Sequence, residues 1–258
     1  MNINTKPTTS RGGKLANTNR QVAISVGIMF IFATVSAILA GLFYQPILTG
    51  PDYLINGAAH TNQVILGVLM ELILVCTAIG TAIGLFPILR PYGERIALGH
   101  LFFRFLEAIA ITIGIVAILS LLTLSKNFVA AAAPGASAYH VAGILLLVVY
   151  KWTAMLGPLF FLGVNTLMYS YLLYKSRLVP RPLAVLGITG ATLVFVYALL
   201  VMFGIAVQAA PPLIILALPI AAYEMILAVW LIVKGFNPSA IASQAATTSN
   251  LVTEPLAP

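Results

Sequence analysis

Six long apolar stretches run through the chain, and its positive charge collects in alternate gaps between them. A helix rising about 1.5 Å per residue needs roughly 20 apolar residues to cross a hydrocarbon layer of about 30 Å. The windows that meet this length predict spans near residues 22–43, 64–89, 98–124, 151–174, 183–207 and 212–233. Each run is continuous, without the alternation of a barrel strand, so its backbone must satisfy itself as a helix. Hydrophobic residues make up 61% of the 258 and charged residues 7%, which leaves too little polar surface to clothe a soluble core. The expected fold is an all-α polytopic membrane helix bundle, six transmembrane helices over residues 20–236. The polar tails at 1–19 and 237–258 read as disordered. Sequence leaves open whether the apolar run 141–150 extends the fourth span or lies at the interface.

Orientation follows from the basic residues, which short cytoplasmic loops retain. Lys6, Arg11, Lys14 and Arg20 precede the first span, and Arg90 and Arg95 separate the second from the third. Lys175, Arg177 and Arg181 separate the fourth from the fifth, and Lys234 follows the sixth. The opposite loops hold a single basic residue, Lys126. Both termini are therefore expected to be cytoplasmic, in a bacterial inner (cytoplasmic) membrane, with the lipid bilayer as the first partner. The net charge of +7 is then a product of topology, and no nucleic acid partner is expected, since no basic stripe or aromatic platform accompanies it. A first apolar run of about 22 residues is too long for the core of a cleaved signal peptide.

Ionisable groups inside spans are the informative exceptions, because each costs about 2.5 to 3.5 kcal/mol at the centre of a membrane helix unless paired or wetted. His100, Arg104 and Glu107 follow i, i+4, i+7 spacing and share one helical face. Arg104, Glu107 and Glu224 all lie roughly 10 to 17 Å from the same membrane boundary, so they can meet in one layer. Asn165 falls at a similar depth and Tyr223 adjoins Glu224; both could add hydrogen bonds. One arginine facing two carboxyls leaves a net negative site unless one of them holds a proton. Toward the outside, Glu71 and Lys151 form a weaker candidate pair, with Lys151 able to snorkel to the surface beside Trp152. Pro158 and Pro219 are expected to kink the fourth and sixth spans. Gly80 and Gly84 make a Gly-x-x-x-Gly pair suited to close helix packing.

Other chemistry is sparse. Cys76 has no partner for a disulfide and is expected to pack within the second span. His60, His100 and His140 are far apart, at positions expected to be solvated, and neither they nor Asp52 show metal-ligand spacing, so no metal is expected. No heme, flavin or nucleotide motif is visible, and no cofactor is expected.

Three stretches carry a resemblance: Phe103-Arg104-Phe105-Leu106-Glu107-Ala108; Tyr174-Lys175-Ser176-Arg177-Leu178-Val179-Pro180-Arg181; and Glu224 ahead of Trp230-Leu231-Ile232-Val233-Lys234-Gly235. In order and spacing they resemble the bacterial six-span membrane protein family known only as domain of unknown function 4386, over about residues 20–237. The resemblance implies six helices with polar positions at Arg104, Glu107 and Glu224, and no activity. Arg177 stands where it leads one to expect a small residue.

Three classes of function follow. In the first, the protein binds or translocates a small amphiphilic or anionic ligand, a lipid included, with Arg104 capturing it and Glu107 and Glu224 orienting it or exchanging a proton. In the second, the same residues form an ionic lock in a non-catalytic scaffold or accessory subunit. The third, an intramembrane enzyme, has the least support. No nucleophile with a base and no metal cluster stands out, so no catalytic residue is assigned. Nothing in the chain marks an oligomer or partner-subunit interface.

Overall fold

The computed structural model describes residues 9–131, 136–207 and 215–243. All regular structure among them is helical: α1 (Thr9–Phe43), α2 (Gln45–Leu48), α3 (Tyr53–Ala59), α4 (Thr61–Leu89), α5 (Glu94–Ala130), α6 (Ala136–Met155), α7 (Leu162–Ser176), α8 (Arg181–Met202) and α9 (Leu218–Val233). Six spans result, because α6 and α7 are joined by a π-helical segment, Leu156–Phe161, into one helix. The protein is a multi-pass membrane protein. Its surface has the inverted polarity that a bilayer requires: α5 turns Phe102, Phe105, Ile109 and Val116 outward and His100, Arg104 and Glu107 inward.

Each span packs on the next, and α9 returns to α1, so the six close into a ring. The sequence supplies the close approach of α1 and α4. A Cβ at Gly80 would lie 2.7 Å from Met29 Sδ, and one at Gly84 2.6 Å from Val26 Cγ2, so glycine at both positions lets Met29 and Val26 of α1 pack directly on the α4 backbone. Arg20 closes the ring at one end. Its guanidinium donates to the carbonyls of Leu231 (2.9 Å), Ile232 and Val233, which the last turn of α9 leaves unpaired. The start of the first span and the end of the sixth therefore share one face of the bundle.

The spans differ from expectation where local backbone chemistry intervenes. The helix containing α6 and α7 runs over 40 residues, Ser137–Ser176, about 60 Å long, so the run 141–150 is a helical extension of the fourth span. Pro158 lies inside the π segment, where its missing N–H is absorbed by a widened turn. Pro219 does not kink its helix: it sits in the first turn of α9, where no intrahelical donor is required. The fifth span ends at Met202 rather than 207 because the chain turns at Gly204, φ +69°. Arg177, at the end of α7, also has left-handed backbone, φ 57° and ψ 26°, which explains why a small residue is the expected occupant. Cys76 faces outward instead of packing inside. Of the proposed tails, residues 1–8 and 244–258 lie outside the described residues, while the backbone is helical over 9–19 and 238–243.

The core has two apolar halves. One joins Phe30, Leu85, Leu89, Tyr169, Leu172, Tyr223 and Leu227 near the shared terminal face; the other joins Tyr44, Tyr53, Val64, Val68, Ile111 and Ile118 toward the opposite face. On α4 and α5, the buried residues between these halves include Ala78 and Thr81, and His100, Arg104 and Glu107. The polar layer is thus set between two hydrophobic clusters.

Candidate functional site

Arg104 and Glu107 are one helical turn apart on α5, both 3% exposed, and pair at 3.0 Å. Nη1 of Arg104 donates to both Glu107 oxygens, Oε1 at 3.2 Å and Oε2 at 3.0 Å. Nε donates to the Ala78 carbonyl at 3.2 Å and Nη2 to Thr81 Oγ1 at 3.3 Å. Thr81 Oγ1 in turn donates to the same Ala78 carbonyl at 2.7 Å. A guanidinium has five N–H groups, so this set leaves one Nη2 proton free. Asn165 completes the carboxylate, donating from Nδ2 to Glu107 Oε2 at 2.7 Å and to the Phe161 carbonyl at 2.9 Å. That carbonyl belongs to the π segment, which approaches α5 closely at Gly157: a Cβ there would lie 3.2 Å from the Glu107 carbonyl oxygen.

Beside this satisfied pair lies a set of polar groups that are not satisfied. His100 is 1% exposed, not solvated as expected, and neither ring nitrogen makes a hydrogen bond. Its ring meets Tyr169 edge-on at 5.0 Å between centroids, with the Asn165 backbone alongside. Tyr169 Oη and Thr166 Oγ1 lie beside each other without good hydrogen-bond geometry, and Asn165 Oδ1 is buried without a partner among the described residues. Tyr169 stacks on Tyr223 at 6.1 Å, and the Tyr223 hydroxyl accepts from Ser170 Oγ at 2.9 Å. Glu224 is half-buried and within electrostatic reach of Arg104, Glu107 and Tyr169. Among the described residues, however, the ion pairs are Arg90–Glu94 and Arg104–Glu107, and Glu224 joins neither.

The second expected pair does not form. Lys151 is exposed, and Glu71 is held by phenols instead. Tyr44 Oη donates to Glu71 Oε2 at 2.9 Å and Tyr150 Oη to Oε1 at 3.5 Å. Lys151 follows Tyr150 by one residue, which turns its side chain about 100° away on the same helix. Asp52, His60 and His140 also stay apart, and no group of three metal-ligating side chains occurs among the described residues. His140 instead packs against Phe128 and Tyr53, while its carbonyl accepts from Tyr53 Oη at 3.0 Å.

Of the residues that the sequence placed in one layer, the structure brings Arg104, Glu107 and Asn165 into contact and His100 beside them, together with Thr166 and Tyr169, which the sequence did not single out. Their signal was present: Asn165, Thr166, Tyr169 and Ser170 form one polar stripe at helical spacing on α7. Tyr44 and Tyr150 had no such signal, being 27 and 79 residues from Glu71.

A family model, Domain of unknown function (DUF4386), matches residues 25–235. The chain belongs to this family. The match spans all six helices and contains Arg104, Glu107, Asn165 and Glu224, so the polar layer of this DUF4386 protein lies wholly within the family domain. No curated protein and no solved structure matches the chain.

Proposed function

We propose that the protein binds, and translocates across its membrane, a small amphiphile whose anionic or hydrogen-bonding head enters the polar layer. The observation that carries this reading is the half-satisfied state of the layer. More than nine in ten buried polar groups in proteins are paired, and each unpaired one costs about 1 to 3 kcal/mol. Here the poorly paired atoms of His100, Asn165, Thr166 and Tyr169 concentrate between α5 and α7, and Tyr169 is within electrostatic reach of Glu224, which joins no ion pair among the described residues. Such a set offers hydroxyl and imidazole donors together with amide and carboxylate acceptors. Arg104 supplies the positive field from behind, its donors mostly engaged by Glu107, Ala78 and Thr81.

Charge balance sets the coupling. One guanidinium faces two carboxyls, so an anionic head is repelled unless Glu224 carries a proton. Ligand entry and proton uptake at Glu224 are therefore linked, in a bacterial inner membrane and with both termini cytoplasmic, an orientation that the distribution of basic residues favours. The test is proton movement and ligand uptake in proteoliposomes holding wild type, Glu107→Gln or Glu224→Gln protein. Loss of coupling in Glu224→Gln supports the reading, and behaviour identical to wild type in both variants overturns it.

The engagement of Arg104 by Glu107, Ala78 and Thr81 favours a second reading, in which the layer is a structural lock in a scaffold or accessory subunit. Replacing Arg104, Glu107 and Glu224 together with apolar residues would then preserve stability and leave no functional defect.

A further inference from the structure

Glu71 is nine-tenths buried and lines a crevice of about 170 Å³ whose mouth is formed by Ala37 and Gly41 of α1 and by Ala154 and Pro158 of the fourth span. Ala37 is exposed and the other three are half-buried, so the crevice opens on the lipid-facing side of the bundle, between two helices. Its charge is not compensated. Glu71 takes part in no ion pair among the described residues, and its two hydrogen-bond donors, Tyr44 and Tyr150, are neutral phenols. The rest of the lining is mostly alanine, glycine, leucine and isoleucine. A bare hard cation needs six or more oxygen ligands, and this lining does not offer them. A carboxylate at the base of an apolar slot instead matches an organic cation. Tyr150 lines the crevice and adds aromatic surface on which a cation can rest, while the buried Tyr44 ring meets it edge-on at 5.7 Å from behind.

We propose that this crevice is a binding site for a lipophilic primary amine in its ammonium form, with the nitrogen on Glu71 and the alkyl chain lying between α1 and the π segment. At the roughly 30 Å³ that a water molecule occupies in the liquid, the crevice holds a ligand of about six non-hydrogen atoms. The amine enters sideways from the bilayer, and the site is separate from the Arg104 layer.

The experiment is calorimetric titration of the full chain in detergent micelles with n-pentylammonium chloride, with 1-pentanol as the uncharged analogue. Saturable binding of the ammonium, at least tenfold tighter than the alcohol and weakened at least tenfold by Glu71→Gln, is the expected result. Gly41→Leu gives a second arm. Gly41 lines the crevice and a Cβ there meets no heavy atom within 4 Å, so a leucine is accepted without displacing its neighbours, and binding is expected to be lost while the unfolding temperature holds. Glu224→Gln is expected to leave ammonium binding unchanged. The proposal is overturned if wild type shows no saturable binding, if pentanol binds equally well, or if a tenfold loss follows Glu224→Gln. It is equally overturned if binding survives Gly41→Leu, which decides the matter should Glu71→Gln fail to fold.

Discussion

Glu107 and Glu71 are both buried carboxylates, and their surroundings differ in kind. Glu107 receives a guanidinium from its own helix and an amide from α7; Glu71 receives two phenols from outside its own helix and no cation. The first is a charge neutralised by the protein itself, while the second is held in place but left for something else to neutralise. A charge in a low-dielectric interior must be paired, protonated or liganded. The contrast therefore separates a site where the fold has met its own electrostatic demand from one where it has not. Glu224 stands between these cases, close to Arg104 yet outside its hydrogen bonds.

The comparison breaks first at Arg104. Arg104→Ala strands Glu107 and removes the tie to Ala78 and Thr81, and is expected to destabilise by about 3 to 5 kcal/mol, read as a large fall in unfolding temperature in detergent. An unfolding temperature within a degree of wild type would show that Glu107 is compensated elsewhere. Asn165→Ala comes next: it removes the donor at 2.7 Å from Glu107 Oε2, with an expected loss of about 1 to 3 kcal/mol. Glu71→Gln sharpens the contrast, because the amide oxygen still accepts from a tyrosine and no cation loses its partner. Its expected destabilisation is about 0.5 to 1.5 kcal/mol in chemical denaturation, and a loss as large as that of Arg104→Ala would mean that Glu71 has a hidden counter-charge. Smallest is Glu224→Gln, which breaks no hydrogen bond and is expected to change stability by no more than about 0.5 kcal/mol, whatever it does to proton coupling.

What was legible in the sequence follows the same division. Apolar run length revealed six helices, and i, i+4, i+7 spacing revealed the inward stripe of α5, because both are properties of one helix. The depth of Glu224 brought it into the Arg104 layer, but depth does not fix rotation about the helix axis, and Glu224 remains outside hydrogen-bond contact. Lys151 was the natural partner for Glu71 by charge, yet Tyr150 occupies the inward face and Tyr44 arrives from the turn after α1. Contacts of that kind depend on which faces of different helices meet, which one helix's periodicity does not encode. Pro219 misled for a local reason, since only its position relative to the start of α9 decides whether a proline bends a helix or begins one. For His100 the two expectations conflicted: the stripe turned it inward while its place near the span's end suggested solvation, and α5 starts at Glu94 and already has it inside the ring.

The most direct test of a binding layer beside a satisfied ion pair is native mass spectrometry of the protein purified in mild detergent, with lipid and metabolite identification. Wild type is compared with a Tyr169→Phe/Glu224→Gln double variant that leaves Arg104, Glu107 and Asn165 intact. A small amphiphile retained by wild type and lost from an equally stable double variant is the expected result. Equal retention by both proteins, or none by either, would contradict a binding layer and leave Arg104 and Glu107 as a structural lock.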